Sequence, residues 1–513
     1  MSTRLLSSAI YGIEAKLIEV EADSSPGLSS FTIVGLPDKA VQESKDRISA
    51  AIKNSGFQPP HRKHKKIIIN LAPADLKKEG PSYDLPIALS YLAETGQIKF
   101  DSSKILFLGE LSLDGSLKPT NGVLASAMLA KNLGLKDIVV PYSNLSEALV
   151  VSGLSVIGAN TIKEVVDHMT DIKKISNPPP KESKPQKVKE LSLFSSIQGQ
   201  ESAKRGITIA AAGFHNVLMW GPPGSGKTLL AKALIELMPD MSVNESLDVA
   251  KIYSSVGLLA GNPLTLNRPF RNPHHTTSAP AVVGGGTWPK PGEISLAHRG
   301  VLFLDEFPEF PRNVLEALRQ PLEDGRITVS RASGSIDLPA KFMLAAAMNP
   351  CQCGNYGDEK LACICSPISI LKYRKKISGP LLDRIDIQLN VPRETILSTD
   401  RRTSQKSQKF EDPRQKIRFA QEIQLSRFRN SGILYNSEID YKNIDKYCIL
   451  NREAEELLDK ATNSKSLSLR AYHKIKKLAR TIADMDGSNV ISEQHIAEAI
   501  GLRVNDKLAS DLA

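Results

Sequence analysis

Residues 221–226 of this 513-residue chain are all glycine, proline or serine, a run that neither a helix nor a strand can absorb. It breaks the chain between the apolar run Asn216-Val-Leu-Met-Trp220 and the helical pattern Leu229–Leu237. Strand, sharp turn and helix in that order form the repeating unit of a parallel α/β sheet. Short apolar runs continue to alternate with helical patterns from about Phe194 to Pro392, so the middle of the chain is committed to that architecture.

The turn and the two residues after it are Gly221, Pro222, Pro223, Gly224, Ser225, Gly226, Lys227 and Thr228. They match the phosphate-loop pattern at every required position. In such a loop backbone N–H groups and the helix N-terminus cradle phosphate oxygens. Lys227 would neutralise the β- and γ-phosphates of ATP, and the Thr228 hydroxyl would ligate Mg²⁺. A chance glycine turn is the competing reading, and the strand and helix on either side count against it.

Two further strands end in polar groups. Val301-Leu-Phe-Leu-Asp305-Glu306 delivers two acids at the end of an apolar run. Asp305 can hold the magnesium and Glu306 can take a proton from the attacking water. Lys341-Phe-Met-Leu-Ala-Ala-Ala-Met-Asn349 ends in an amide that could orient the same water, or that simply closes a strand before Pro350.

The length is too great for one compact domain. Residues 1–170 mix β-type runs such as Lys66-Ile-Ile-Ile-Asn70 with a helix over Asp84–Thr95, and read as an α+β domain. Residues 171–193 form a Pro/Lys-rich linker. Residues 194–395 are the α/β core, and 396–513 have the amphipathic periodicity of an all-helical domain.

A net charge of +10 favours a polyanionic partner, nucleic acid first and an anionic membrane second, against the plainer reading of a solvated basic surface. There is no run of 18 apolar residues and no secretion signal, so we expect a cytoplasmic chain without a membrane span. Five cysteines do not make a disulfide scaffold in a chain this long. Four of them, Cys351, Cys353, Cys363 and Cys365, fall within 351–365 and have the count for tetrahedral zinc, with free thiols or a redox pair as alternatives.

The order of these strands, followed by Gly379-Pro-Leu-Leu-Asp-Arg384-Ile-Asp386, resembles AAA+ ATPases, and within them the branch of magnesium-chelatase motors and MCM helicases. The resemblance implies that Arg384 reaches the γ-phosphate of a neighbouring subunit, where a surface ion pair with Asp383 or Asp386 is the alternative. It implies that Arg470, in Ser466-Leu-Ser-Leu-Arg470, touches nucleotide from a helical lid, and that Gln198 in Ile197-Gln-Gly-Gln200 flanks the adenine. Longer runs resemble the YifB/ComM family of magnesium-chelatase-like ATPases: Arg268-Pro-Phe-Arg-Asn-Pro-His-His-Thr-Thr-Ser278, Val283-Gly-Gly-Gly286, Pro291-Gly-Glu-Ile-Ser-Leu-Ala-His-Arg-Gly300 and Lys376–Asp386. What that implies is a hexameric ring moving branched or duplex DNA in natural transformation.

Glu79-Gly-Pro-Ser82-Tyr-Asp84 and the hairpin Gly109–Pro119 resemble Lon proteases, which implies a ribosomal-S5-like fold for the N-terminal domain. The same alignment puts Leu124 where Lon has its lysine. Leucine cannot act as a base, so we expect no peptidase activity. For DNA, the long insertion before Asp305 offers Arg271 and Lys290, with His274 and His275 as loop or pore residues. A hairpin over Arg326–Leu338 offers Arg331 as a phosphate grip, with a solvated charged hairpin as the equal alternative. The competing function is a protein remodeller or chelatase-type motor, or an ATP switch that loads other factors.

Overall fold

The computed structural model describes all residues except 1–2, 61–64, 177–190, 260–262, 266, 287–288, 332–333, 359–360, 394–411, 430, 465–466 and 504–513. Most of the expected linker and of the polar stretch after Arg393 therefore lies outside the described residues. The chain divides into two compact units, neither continuous in sequence. One comprises 1–185, 242–265 and 286–291, the other 186–241, 266–285 and 292–513.

The first unit is built on a seven-stranded mixed sheet. Its strands are β1 (Thr3–Tyr11), β2 (Glu14–Pro26), β3 (Ser30–Val34), β4 (Lys65–Ala72), β5 (Ile105–Phe107), β6 (Asp137–Pro141) and β7 (Ser155–Ala159), in the order β3-β4-β2-β1-β5-β6-β7. β4 shows why: Ile67, Ile69 and Leu71 alternate inward and are fully buried, the two-residue period of a pleated strand. The helix Asp84–Glu94 is buried along most of its length. Asp84 at its start accepts from Arg47 Nε (2.7 Å) and NH2 (3.0 Å) and from Leu111 N (3.1 Å). Burial lifts this carboxyl to about 6, against the downward pull of Arg47. Ser82 lies in the single turn Pro81–Tyr83 just before that helix, and Leu124 is fully buried in the core.

Residues 242–265 depart from the domain division drawn on sequence position, which put them in the 194–395 core. Their helix, Val243–Ser255, packs Ala250 and Leu247 into the same cluster as Leu124, Ala127 and Val140. The buried Glu147 explains the attachment: it accepts from Leu124 N at 2.8 Å and also from the Ser254 hydroxyl. A buried carboxylate left with fewer donors would cost several kcal/mol.

The second unit holds a five-stranded sheet, every pair parallel. The strands are β8 (Val217–Trp220), β9 (Phe270–Arg271), β10 (Val301–Leu304), β11 (Met343–Met348) and β12 (Ile387–Asn390), in the order β9-β10-β11-β8-β12. Every residue of β8, β10 and β11 is buried, as expected of strands covered on both faces. From β8 the chain leaves for the far edge, returns through β10 and β11, then steps past β8 to β12. Ligands of open α/β sheets sit at the carboxyl end of such a switch point, and residues 221–228 follow β8 there. The C-terminal helices Pro413–Arg427, Arg452–Ser464, Leu469–Met485 and Glu493–Arg503 share one apolar core with the sheet. That core runs from Met219 through Ile207 to Ile482 and Ile496.

Candidate active site

The turn after β8 needs its first glycine for space: a Cβ at Gly221 would lie 2.0 Å from the Val391 carbonyl oxygen. Gly224 and Gly226 adopt φ of +76° and +93°, a backbone region that glycine enters without the strain a side chain would bring. Lys227 opens the helix Lys227–Leu237 and folds back, donating to Gly221 O (2.8 Å), Pro222 O (2.8 Å) and Asn349 Oδ1 (3.2 Å). Burial lowers its pKa to about 8, partly opposed by Asp305. The Ser225 hydroxyl is buried inside the loop with no protein partner. These groups suit a polyphosphate, whose oxygens would take the loop N–H groups, Ser225 and the ammonium.

The Thr228 hydroxyl donates to Asp305 Oδ2 at 2.9 Å, so the two expected magnesium ligands face each other across the ends of β8 and β10. Glu306 N donates to Asp305 Oδ1 (2.9 Å), and Glu306 itself takes φ +51°, strained for a residue with a side chain. Lys227, Thr228, Asp305 and Asn349 are thus brought together by three adjacent parallel strands.

His275 joins them. β9 and β10 pair with Arg271 opposite Leu302; four residues on from each come His275 and Glu306. Their side chains meet, His275 Nδ1 lying 3.0 Å from Glu306 Oε2. From sequence alone His275 reads as a loop or pore residue. Only the strand pairing brings it to the carboxylate.

Arg384 and Arg470 gather elsewhere. Arg384 precedes β12, and it pairs with neither Asp383 nor Asp386. It donates to Arg319 O (3.1 Å), to Pro380 O (2.7 Å) and to Glu323 Oε2. Arg470 NH2 takes the other oxygen of Glu323 at 2.7 Å. Asp386 is instead buried with Asn216 N (2.9 Å) and Lys474 (2.5 Å). Burial would raise this carboxyl, but Lys474 and His215 outweigh it and hold Asp386 well below the usual carboxylate range. Lys474 also donates to Arg384 O (2.7 Å), and Arg503 to Asp383 O (3.3 Å) and Ile385 O. Two C-terminal helices therefore fix the backbone that carries Arg384.

The four cysteines converge. Their sulfurs lie within 4.8 Å of one another, three pairs at 3.3, 3.6 and 3.7 Å. Zinc–sulfur bonds of about 2.3 Å at tetrahedral angles put sulfurs about 3.8 Å apart, so the donor set fits. The Asn355 and Ile364 N–H groups point at Cys353 and hold its thiol down to about 6. The cluster touches the phosphate loop: a Cβ on Gly354 would come within 2.6 Å of Pro223.

The remaining candidates are spread more widely. Gln198 is exposed, and the buried Gln200 donates to Pro392 O at 2.7 Å. Arg271 is committed to Glu293 through two bonds of 2.6 and 2.7 Å. Lys290 belongs to the first unit, exposed and 3.8 Å from Glu79. Arg331 ends the strand Arg326–Arg331 of the expected hairpin, but its side chain lies outside the described residues.

A central parallel strand ending in a phosphate loop, flanked by an Asp-Glu strand and an Asn strand, defines the nucleotide-binding core of an AAA+ ATPase. Comparison with known proteins narrows the class. Family models described as "Magnesium chelatase, subunit ChlI", "Subunit ChlI of Mg-chelatase" and "Magnesium chelatase, subunit ChlI C-terminal" match residues 193–398, 20–144 and 407–503. The chain is 43% identical to the Competence protein ComM of Haemophilus influenzae, over 99% of this chain and 98% of that one. It is 41% identical to YifB of Escherichia coli, over 98% and 96%. To Lon protease 2 of Bacillus subtilis it is 26% identical, over 33% and 32%. The chain belongs to the YifB/ComM family of magnesium-chelatase-like ATPases. No helix among the described residues is long and apolar enough to cross a membrane.

Proposed function

We propose that this chain is an ATP-driven ring motor that moves branched or duplex DNA, a branch-migration helicase serving DNA uptake or recombination. The observation that carries the ATPase half is the Thr228–Asp305 contact of 2.9 Å beside Lys227 and Asn349. Lys227 and the loop N–H groups would bind the phosphates, Thr228 and Asp305 would hold the magnesium, and Asn349 would orient the water. Glu306 would take the water's proton as the water oxygen bonds to the γ-phosphorus and the bond from that phosphorus to the β–γ bridging oxygen breaks, leaving ADP and phosphate. The net charge of +10 and the 43% identity to a competence protein support the DNA half. The mixed sheet of the first unit, with its turn at Ser82 running into a buried helix, supports a ribosomal-S5-like fold there.

The test is ATP-dependent migration of a labelled four-way DNA junction, wild type against Lys227→Ala. The wild type should move the junction, and the variant should bind it without moving it. DNA affinity should fall steeply with added salt. Hydrolysis without binding or movement of any junction would sink the DNA reading and favour a protein-remodelling or chelatase-type motor.

The cysteine cluster is the second element of the proposal, a structural zinc site that braces the phosphate loop through Gly354 and Pro223. Purified protein should contain stoichiometric zinc by metal analysis, lost in Cys351→Ser and Cys363→Ser. Protein purified without chelators that carries no zinc removes the site from the proposal.

A further inference from the structure

Glu323 lies on the short helix Arg319–Asp324, away from the phosphate loop's own residues, and sequence motifs single it out in no way. Yet its two carboxylate oxygens are divided between two arginines from distant segments, Arg384 and Arg470. One anion against two cations leaves the group an excess positive charge. Arg384 is only 13% exposed in its side chain and is held from behind by two carbonyls, whereas Arg470 is 51% exposed. The arrangement is a pair of guanidiniums set side by side, short of one negative partner. A phosphate terminus is such a partner, since its oxygens match the guanidinium fork.

That phosphate is not the one held by the same chain. β8 and β12 are parallel, Val217 facing Ile387 and Trp220 facing Asn390. The phosphate loop follows Trp220, while Arg384 comes before Ile387, at the opposite end of the strand. The four strand residues, three rises of the chain, separate the two ends by about 10 Å before any loop is counted.

We propose that Glu323 is the positioning residue that sets Arg384 and Arg470 as one paired receptor for the terminal phosphate bound by a second copy of this chain. The proposal rests on the reading of Arg384 as an arginine that acts on a neighbour. Glu323 touches no reacting atom. It keeps the two cations together, which carbonyl acceptors alone do not, because they carry no charge to offset the repulsion.

Full-length Glu323→Ala, Glu323→Asp, Arg384→Ala and Lys227→Ala are assayed for steady-state ATP turnover, alone and in equal mixtures. ATP affinity is read with a fluorescent analogue. Glu323→Ala should lower kcat by about 10²-fold, the cost of a catalytic group misplaced by an ångström, with ATP affinity unchanged. Glu323→Asp, which keeps the charge, should recover a large part of the loss. Glu323→Ala mixed with Lys227→Ala should turn over ATP several-fold faster than the two apart, because the intact loop of one meets the intact arginines of the other. A role confined to folding of its own chain would give no such recovery. Wild-type turnover in Glu323→Ala overturns the proposal. So does a mixture that stays slow while Arg384→Ala with Lys227→Ala recovers. If the Arg384→Ala mixture also stays slow, the reading of Arg384 falls and takes the proposal with it.

Discussion

Replacing Arg384 with alanine should lower ATP turnover at least about 10³-fold while the same chain still binds ATP. The expectation follows from where the structure puts the residue. Lys227, Thr228, Asp305 and Asn349 meet at the carboxyl ends of β8, β10 and β11. Arg384 sits before the amino end of β12, its backbone tied by Lys474 and Arg503. On the proposed reading an arginine there faces a neighbour's nucleotide and not its own, so binding should survive its loss. What should disappear, on that reading, is the positive charge brought to a neighbour's transition state. Equilibrium ATP binding and single-turnover hydrolysis separate these two effects. A variant that loses binding together with turnover would show that Arg384 serves its own site, and a variant with normal turnover would show that it serves none.

Glu306→Gln should lower turnover by about 10²- to 10⁴-fold, the range for losing a general base, again with ATP bound. Glutamine has the size of glutamate and can still accept a hydrogen bond from His275, but it cannot take a proton from water. The neighbouring Asp305 should not compensate, because its oxygens are already engaged by Thr228 and by Glu306 N. The variant should accumulate as a stable ATP complex, measured by retention of labelled nucleotide. Turnover within a few-fold of wild type would mean that another group activates the water.

The parts of this site that are local in sequence were legible there. A phosphate loop is eight consecutive residues whose backbone conformation depends on glycine, so Gly221 to Thr228 declare themselves. Asp305 and Asn349 are readable because each ends an uninterrupted apolar run. The family, too, could be recognised from long motifs. What failed to show was anything that depends on which strands lie side by side. His275 reaches Glu306 only because β9 and β10 are parallel neighbours in a particular register. For Arg384 the sequence offers Asp383 and Asp386, its neighbours along the chain, as carboxylate partners. Asp386 is spent on Asn216, Lys474 and His215, and the partner proves to be Glu323. The cysteines could be counted in the sequence, but the convergence of their sulfurs to within 4.8 Å of one another could not.

The segment Val243–Ser255 has a consequence for how the protein is made. The chain passes between its two units after residues 185, 241, 265, 285 and 291. During synthesis the first unit lacks its last helix until the phosphate loop and the helix behind it have already emerged. Until then Leu124, Ala127 and Glu147 await Ala250 and Ser254. The two units are therefore braided in time, and no single cut separates them. A fragment starting at residue 186 would carry Leu247 and Ala250 with their apolar partners missing. A fragment ending at residue 185 would leave Glu147 without the Ser254 hydroxyl. Expression of either half as a well-behaved protein calls for moving or replacing residues 242–265 as well.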